Sequence, residues 1–168
     1  SAARFSGGTA LPLCGPRPAG RHLVLDNPAM KTLEYRPALK VVSYDIETAM
    51  EGLQLFSIAV HGSWGEEQPR RVFMVREGAQ QDFVASFGSQ EQVLQAFLDW
   101  VADYDPDVLI GWNVINFDTW YLQRLSDKLG RRLLLGRDRR PAHWRELDED
   151  GERRTVQLPG RVILDGIE

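Results

Sequence analysis

The stretch Lys40-Val-Val-Ser-Tyr-Asp-Ile-Glu-Thr48 decides the fold of this chain. Its β-branched and aromatic residues, bounded by Pro37 and Gly52, predict a β-strand. Side chains alternate between the two faces of a strand. One face then carries Val41, Ser43, Asp45 and Glu47, and the other carries Val42, Tyr44 and Ile46. Apolar residues on both faces indicate a central strand that is covered on both sides.

Asp45 and Glu47 are predicted to stand on the same face at the end of this strand, roughly 7 Å apart. Like charges at such a separation repel each other, which raises a pKa or recruits a metal ion. Alternatively, the strand ends at the surface and water solvates both acids. The stretch alone leaves both interpretations open.

The composition is that of a soluble globular protein, with 168 residues of which 43% are hydrophobic and 26% charged. This length predicts one domain, or one domain with a flanking segment. The single Cys14 excludes an internal disulfide, and no apolar run is long enough to span a membrane. We therefore expect a cytoplasmic protein with no membrane partner. The net charge of −4 does not indicate nucleic-acid binding, although local charge matters more.

The first half of the chain predicts an antiparallel meander. Residues 1 to about 21 are rich in Gly and Pro and predict an irregular lead-in, followed by a short strand at 23–25. After the first long strand, residues 53–61 and 71–75 predict two more strands joined by short turns. In the second of these strands the small side chains Ser57 and Ala59 are predicted to share a face with Leu55, which suits close packing under a helix or a substrate. Residues 76–88 predict a loop.

A helix is predicted to begin at Ser89, which forms a capping box with Gln92, and to end at Asp105-Pro106. Its helically spaced apolar residues are Val93, Leu94, Phe97, Leu98 and Val101. Residues 108–110 are wholly apolar, which is typical of a parallel strand beside helices.

A second helix is predicted to run to about Lys128, with Gly130 as its C-terminal cap. Its apolar stripe is Leu122, Leu125 and Leu129. Counting back four residues from Leu122 places Asp118 on the inward face of the first turn. The alternative role for Asp118 is helix capping, or a favourable contact with the helix dipole.

Residues 131–145 carry six arginines, which predict either a solvated face or a surface that guides a DNA backbone. In the second case, neutralising Arg139 and Arg140 would flatten the salt dependence of DNA binding. An Asp-Gly pair at 150–151 predicts a hairpin between residues 143–145 and 155–158. Residues 161–165 predict an apolar strand that ends in Asp165.

Other candidate residues favour ordinary structural roles. His61 and His143 are expected to be partly exposed histidines rather than ligands or bases. Trp112 and Trp120 are expected in the core rather than as base-stacking platforms. Asp165 is expected to be structural.

The predicted acids and strand order converge on one architecture. Asp45, Glu47 and Asp118 come from a strand end and from the inner face of a helix start. The order of meander, helix, parallel strand and helix is that of the α/β ribonuclease H-like fold. Carboxylate ligands suit magnesium or manganese. Two such ions about 4 Å apart can hold the attacking water and the leaving oxygen of a phosphodiester.

Two motifs carry a family resemblance. Asp45-Ile-Glu-Thr48 resembles the first exonuclease motif of family B DNA polymerases, and Asp105-Pro-Asp-Val-Leu-Ile-Gly-Trp-Asn-Val-Ile-Asn-Phe-Asp118 resembles the second. The segment 160–168, with Leu135-Gly-Arg-Asp138 before it, is similar to bacterial members of the family. The resemblance covers most of the chain from about residue 23.

The resemblance implies a proofreading 3′-to-5′ exonuclease of a DNA polymerase, with two Mg²⁺ ions for which Mn²⁺ can substitute. It implies that Asp45, Glu47 and Asp118 are catalytic residues and metal ligands. It also implies that Thr48, Asn113 and Phe117 contact the substrate. The implied partners are a single-stranded DNA 3′ end or primer–template and, for the whole polymerase, the sliding clamp. The expected location is the cytoplasm, with the nucleoid.

The family's third motif, Tyr-x-x-x-Asp, does not occur in this sequence. We therefore expect residues 1–38 to be a lead-in and residues 39–168 to be a truncated exonuclease domain with an incomplete metal site and weak activity on its own. Two alternatives stay open, an RNA-directed exonuclease of the same fold and a non-catalytic nucleic-acid-binding module. Comparing removal of deoxy- and ribonucleotides tests the first. DNA binding without manganese binding would support the second.

Overall fold

The computed structural model describes residues 4–6, 26–27, 29–32, 34–76, 78, 82–151 and 153–167. The chain forms two compact units, Ser1–Ala38 and Leu39–Glu168. None of the helices in the described part of the chain has the length and hydropathy needed to cross a bilayer.

The smaller unit contains a two-stranded antiparallel sheet. Strand β1, Arg4–Ser6, pairs with β2, Ala29–Lys31. The prediction of a wholly irregular lead-in is therefore wrong at β1, since a three-residue strand is too short to show an alternating pattern. The strand predicted at 23–25 lies outside the described residues.

The larger unit contains the predicted meander, helices and hairpin. Along the chain its elements are β3 Val41–Thr48, β4 Leu55–Ser63, β5 Arg70–Val75, β6 Val84–Phe87, α1 Gln90–Tyr104, β7 Val108–Gly111, a π-helix Val114–Thr119, α2 Trp120–Lys128, a 3₁₀ turn Arg137–Arg139, β8 His143–Glu146, β9 Arg154–Gln157 and β10 Val162–Asp165.

Six of these strands form one mixed sheet in the order β10-β7-β3-β4-β5-β6. The meander β3-β4-β5 is antiparallel, and β7 lies parallel to β3, as the sequence predicts. Strand β10 extends the parallel part at one edge. Strand β6 forms the other edge, so the loop predicted over 76–88 is wrong there. Its four residues are too few to show a strand pattern.

A bulge at the end of β3 changes which β4 residues face the core. Glu47 pairs with Ser57, but Thr48 pairs with Leu55, so Phe56 is the extra residue. Leu55 is consequently buried and Phe56 is exposed. Leu55 therefore does not share a face with Ser57 and Ala59, contrary to the strict alternation that the sequence predicts.

The helices cover one face of β3. Tyr44 on that face packs against Phe97 of α1, with ring centroids 5.4 Å apart, and its hydroxyl contacts Thr119 of the π-helix. On the other face Asp45, Glu47 and Ala59 are exposed. The prediction that β3 is covered on both sides is thus wrong in the described structure, although β3 is central within the sheet.

Local capping interactions mark the start of α1 and the end of α2. The Ser89 hydroxyl accepts a hydrogen bond from the Gln92 amide at 3.3 Å, but the Gln92 side chain binds the Gly88 amide instead of closing the capping box. The predicted stripe of α1 is fully buried. After α2, Gly130 adopts a left-handed φ of 66°, and the amides of Gly130 and Arg131 bond to the last carbonyls.

The hairpin β8–β9 forms as predicted. Trp144 in β8 packs edge-on against Trp120, with ring centroids 5.0 Å apart, and donates to the Gln123 side chain at 3.0 Å. The guanidinium of Arg154 in β9 lies 4.4 Å from the Trp120 ring centroid. These contacts attach the hairpin to the second helix.

Candidate active site

The two acids of β3 lie where the sheet is open. Asp45 pairs across the strand with Ala59, and Glu47 pairs with Ser57. Both carboxylates are exposed, on the face opposite the helices. The sequence therefore predicts their shared face correctly. Their cross-strand neighbours on β4 are both small residues.

Asp118 lies beside the same strand but is buried, with 1% of its surface exposed. Its Oδ1 accepts a hydrogen bond from the Ile46 amide at 3.0 Å. Strand β7 pairs with β3 only as far as Ser43, so the edge of β3 beyond that point has no strand partner on this side. The Asp118 carboxylate satisfies the Ile46 N–H, which would otherwise be buried without a partner. The inward direction that the sequence predicts for Asp118 is confirmed.

The electrostatics link Asp118 to Asp45. Burial, followed by the negative charge of Asp45, raises the pKa of Asp118 to about 7. The hydrogen bond from Ile46 opposes this shift, and the charge of Asp165 adds to it. A carboxyl group with a pKa near neutrality beside a second acid is typical of a functional site.

Asp165 lies at the end of β10 and holds the start of the π-helix. Its Oδ2 accepts from the Ile115 amide at 2.9 Å, and its Oδ1 accepts from the Ile167 amide at 3.1 Å. Both oxygens therefore satisfy backbone donors. This agrees with the structural role expected for Asp165.

The three residues predicted to contact substrate lie within five positions of these acids in the chain. Thr48 is half-buried and ends β3. Asn113 has a left-handed φ of 54° and precedes the π-helix. Phe117 is 46% exposed and lies 6.3 Å from the Tyr121 ring, measured between centroids. Their roles in binding stay predictions.

The donor chemistry at this site fits a divalent cation. Carboxylate oxygens are preferred by Mg²⁺ and Mn²⁺. A cation would also relieve the repulsion by which Asp45 raises the pKa of Asp118. The described residues contain no group of three or more His, Cys, Asp or Glu side chains placed to hold a metal ion. That Asp45, Glu47 and Asp118 together bind a metal ion stays a prediction.

The tryptophan predictions have different outcomes. Trp112 was expected in the core but is 72% exposed, at the position directly after the last residue of β7. Trp120 is half-buried against the hairpin. His61 and His143 are both exposed.

The arginine-rich segment 131–145 is only partly a solvated face. Arg131 pairs with Glu91, and Arg139 pairs with Asp99 at 2.7 Å, so both bind acids of α1. Arg137 binds Asp105 at 2.9 Å and Asp107 at 2.6 Å. These acids hold three of the arginines against the body of the domain. A role in guiding DNA stays a prediction.

Sequence reasoning did not identify Tyr44 and Thr119 as parts of the site. Both are buried, and their hydroxyls contact each other next to Asp118. The available signal was a polar Thr directly after the inward-facing Asp118.

Comparisons with known proteins agree with this architecture. Residues 22–168 match the family described as DNA polymerase family B, exonuclease domain. The chain is 40% identical to DNA polymerase II of Escherichia coli strain K12 over 140 residues, which are 80% of this chain and 17% of that protein. It is 33% identical to a DNA polymerase of Thermococcus sp. strain GE8 over 129 residues, which are 76% of this chain and 7% of that protein.

A solved structure shares the fold. The family B DNA polymerase of the archaeon Pyrobaculum calidifontis superposes with a TM-score of 0.59 at 24% sequence identity, over 98% of this chain and 19% of that chain. The fold is thus that of a ribonuclease H-like exonuclease domain, as predicted. This chain spans less than one fifth of the length of each of these relatives.

Proposed function

The chain belongs to the exonuclease domain family of family B DNA polymerases, and from this membership we propose that it removes nucleotides from DNA 3′ ends as the proofreading part of a polymerase. The observation that carries the proposal is the placement of Asp118 on the Ile46 amide, where the charge of Asp45 raises its pKa. This hydrogen bond joins Ile46 and Asp118, which are 72 residues apart in the sequence. It thereby brings the acids of the two motifs to one strand end.

In this proposal Asp45, Glu47 and Asp118 hold Mg²⁺, for which Mn²⁺ can substitute. A bound divalent cation would supply positive charge to a phosphodiester and to the water that attacks it. The exposed carboxylates of Asp45 and Glu47 offer their oxygens on the open face of the sheet. In this proposal Asp118, which accepts from the Ile46 amide through Oδ1, would coordinate the cation through Oδ2. Its raised pKa means that cation binding displaces a proton at neutral pH.

The proposed substrate is a single-stranded DNA 3′ end. Thr48, Asn113 and Phe117 are proposed to contact its terminal nucleotides, and the exposed ring of Phe117 offers a stacking surface for a base. A contact with a sliding clamp and association with the nucleoid stay predictions for a whole polymerase.

The test is removal of 3′ nucleotides from 5′-labelled single-stranded DNA in manganese. It compares this chain, and a polymerase of full family length that carries it, with their Asp45→Ala variants. Asp99→Asn is the matched control, because Asp99 is a half-exposed acid of α1 that pairs with Arg139. In the full-length polymerase we expect Asp45→Ala to lower the rate roughly a hundredfold or more, as when one preorganised electrostatic group is removed from a reaction centre. Asp99→Asn should leave the rate unchanged.

Full exonuclease activity in the Asp45→Ala polymerase would refute the proposal. For this chain alone we expect weak activity, since the third motif of the family is absent from its sequence. Strong activity of the chain alone, abolished by Asp45→Ala, would show that a further ligand lies within these residues. Asp165 would then be the first residue to substitute.

A further inference from the structure

The turn that carries Asp118 is a π-helix, Val114–Thr119, and buried hydroxyl groups hold it. The Thr119 hydroxyl donates to the Val114 carbonyl at 2.6 Å. The Tyr44 hydroxyl lies 2.5 Å from the Thr119 oxygen. Val114 and Thr119 have no exposed surface, and Tyr44 has 2%. Two hydroxyl groups from different elements thus form a hydrogen-bond chain that ends at one buried backbone carbonyl.

The direction of this hydrogen-bond chain follows from its donors. A threonine hydroxyl has one proton, which Thr119 gives to the carbonyl of Val114. The Tyr44 hydroxyl must therefore donate to Thr119. Burial raises the pKa of the Tyr44 hydroxyl, so it keeps its proton at neutral pH. The chain runs from Tyr44 through Thr119 to Val114.

The bonded carbonyl belongs to the residue five before Thr119, which is the spacing of a π turn. A π turn holds one residue more than an α turn, so it offsets the side chains that follow it by about 100°, the angle of one α-helical residue. Asp118 directly precedes Thr119. Because Asp118 lies near the end of this turn, a change to an α turn would rotate it relative to Asn113 and β7, and we expect the contact of its carboxylate with the Ile46 amide to weaken.

Close packing at Gly111 supports the same arrangement. A Cβ atom at Gly111 would lie 2.8 Å from the Tyr44 carbonyl oxygen and 2.8 Å from the Val114 Cβ. The end of β7 thus allows β3 and the start of the π-helix to approach each other. The absence of a side chain at Gly111 keeps Val114 within reach of the hydroxyl chain.

We propose that Tyr44 and Thr119 are positioning residues, whose hydroxyls hold the π turn so that Asp118 stays on the Ile46 amide beside Asp45. They act through Asp118 and are not proposed to touch the substrate. The geometric part of this inference stands on the contacts alone. Its consequence for catalysis rests on the proposed nuclease function.

The experiment measures hydrogen exchange of the Ile46 amide by NMR in this chain, without metal or DNA. It compares the unsubstituted chain with Thr119→Val, Thr119→Ser and Tyr44→Phe. Amides in the middle of α1 serve as the internal reference for global opening. Asp118→Ala, which has no side-chain acceptor, gives the exchange rate expected when the hydrogen bond from Ile46 is lost.

We expect Thr119→Val to raise Ile46 exchange at least about tenfold relative to the α1 amides, which corresponds to the loss of a hydrogen bond to a charged group. Thr119→Ser keeps the hydroxyl and should restore protection. Tyr44→Phe should give a smaller rise. In a full-length polymerase with nuclease activity, Thr119→Val should lower kcat and leave KM for single-stranded DNA unchanged.

An Ile46 amide that stays protected in Thr119→Val would overturn the inference. If Thr119→Val does not fold, unchanged Ile46 exchange in Tyr44→Phe would overturn it instead. A variant that accelerates Ile46 and the α1 amides equally would also count against it, because that pattern shows a general loss of stability. Selective exposure of Ile46, together with a full-length polymerase that shows no 3′ exonuclease activity, would support the positioning role and refute only the proposed function.

Discussion

Replacing Arg161 with methionine is expected to lower the free energy of unfolding by about 2–6 kcal/mol. The side chain of Arg161 is 2% exposed. Its guanidinium donates to the carbonyls of Leu135 at 2.7 Å, Pro106 at 3.0 Å and Val101 at 3.3 Å, and to Asp105 at 3.0 Å. Burial lowers the pKa of Arg161, and the charge of Asp105 opposes that shift. One buried side chain, just before β10, thus joins the end of α1 to the segment at Leu135.

The magnitude follows from what each acceptor would lose. The Val101 carbonyl keeps the bond from the Asp105 amide, and Asp105 keeps Arg137. Asp105 is also half-exposed, so losing one ion pair costs it little. The Leu135 carbonyl loses its hydrogen bond, and the Pro106 carbonyl retains a 3.5 Å contact with Arg137. Two poorly satisfied buried carbonyls, at about 1–3 kcal/mol each, give the expected range.

The assay is urea-induced unfolding monitored by circular dichroism. The stabilities are compared between variants that have the same m-value. Arg139→Met is the matched control, since Arg139 forms an ion pair with Asp99 that is about half-exposed on both sides. That variant should change stability by less than about 0.5 kcal/mol. A loss below about 1 kcal/mol in Arg161→Met, or equal losses in the two variants, would refute the reasoning.

Three further substitutions test the site. Gly111→Ala places a Cβ 2.8 Å from the Tyr44 carbonyl oxygen, so thermal unfolding should show a loss of about 1–3 kcal/mol, and a neutral effect would contradict the close packing. Asp165→Asn weakens its bonds to two backbone N–H groups, and urea unfolding should show a loss of about 1–2 kcal/mol; unchanged stability would argue against its structural role. In the metal-free folded chain the pKa of Asp118 is about 7, whereas its ordinary value is 3.8. The folded state therefore binds this proton more tightly than the unfolded state does. The associated stability is present at low pH and is lost as the pH rises through 7. The difference in unfolding free energy between the unsubstituted chain and Asp118→Asn, measured by urea unfolding from pH 4.5 to 8, should therefore fall with pH, and a flat difference would be inconsistent with the raised pKa.

Local patterns predicted most of the fold. The alternation in β3, the helical spacing of the α1 stripe, and the Gly130 cap all appear as expected. Each depends on residues close in sequence, whose side-chain directions follow from strand and helix geometry. The inward direction of Asp118 was predicted in the same way, because it follows from counting back along α2. The family motifs at Asp45 and Asp118 are likewise stretches of continuous sequence.

Deviations from regular geometry escaped prediction. The bulge at Phe56 exchanges the faces of β4, and the short strand β6 lies in a region without pattern. The exposure of Trp112 depends on where β7 ends in the sheet. Each results from pairing with a distant strand, which sets register and strand length but leaves no mark in local periodicity.

The sequence by itself determined most of the strands and both α-helices of the larger unit, and it supplied the candidate acids of the site. Only the tertiary structure decided that Asp118 binds the Ile46 amide and that Tyr44 and Thr119 hold the turn beside it. The reason is that side-chain direction follows local backbone geometry, which the sequence shows. The unpaired edge of β3, in contrast, exists only after β7 has paired with β3, because that pairing ends at Ser43 and Ile110. A buried N–H at that edge needs an acceptor, and the folded chain supplies it from 72 residues away.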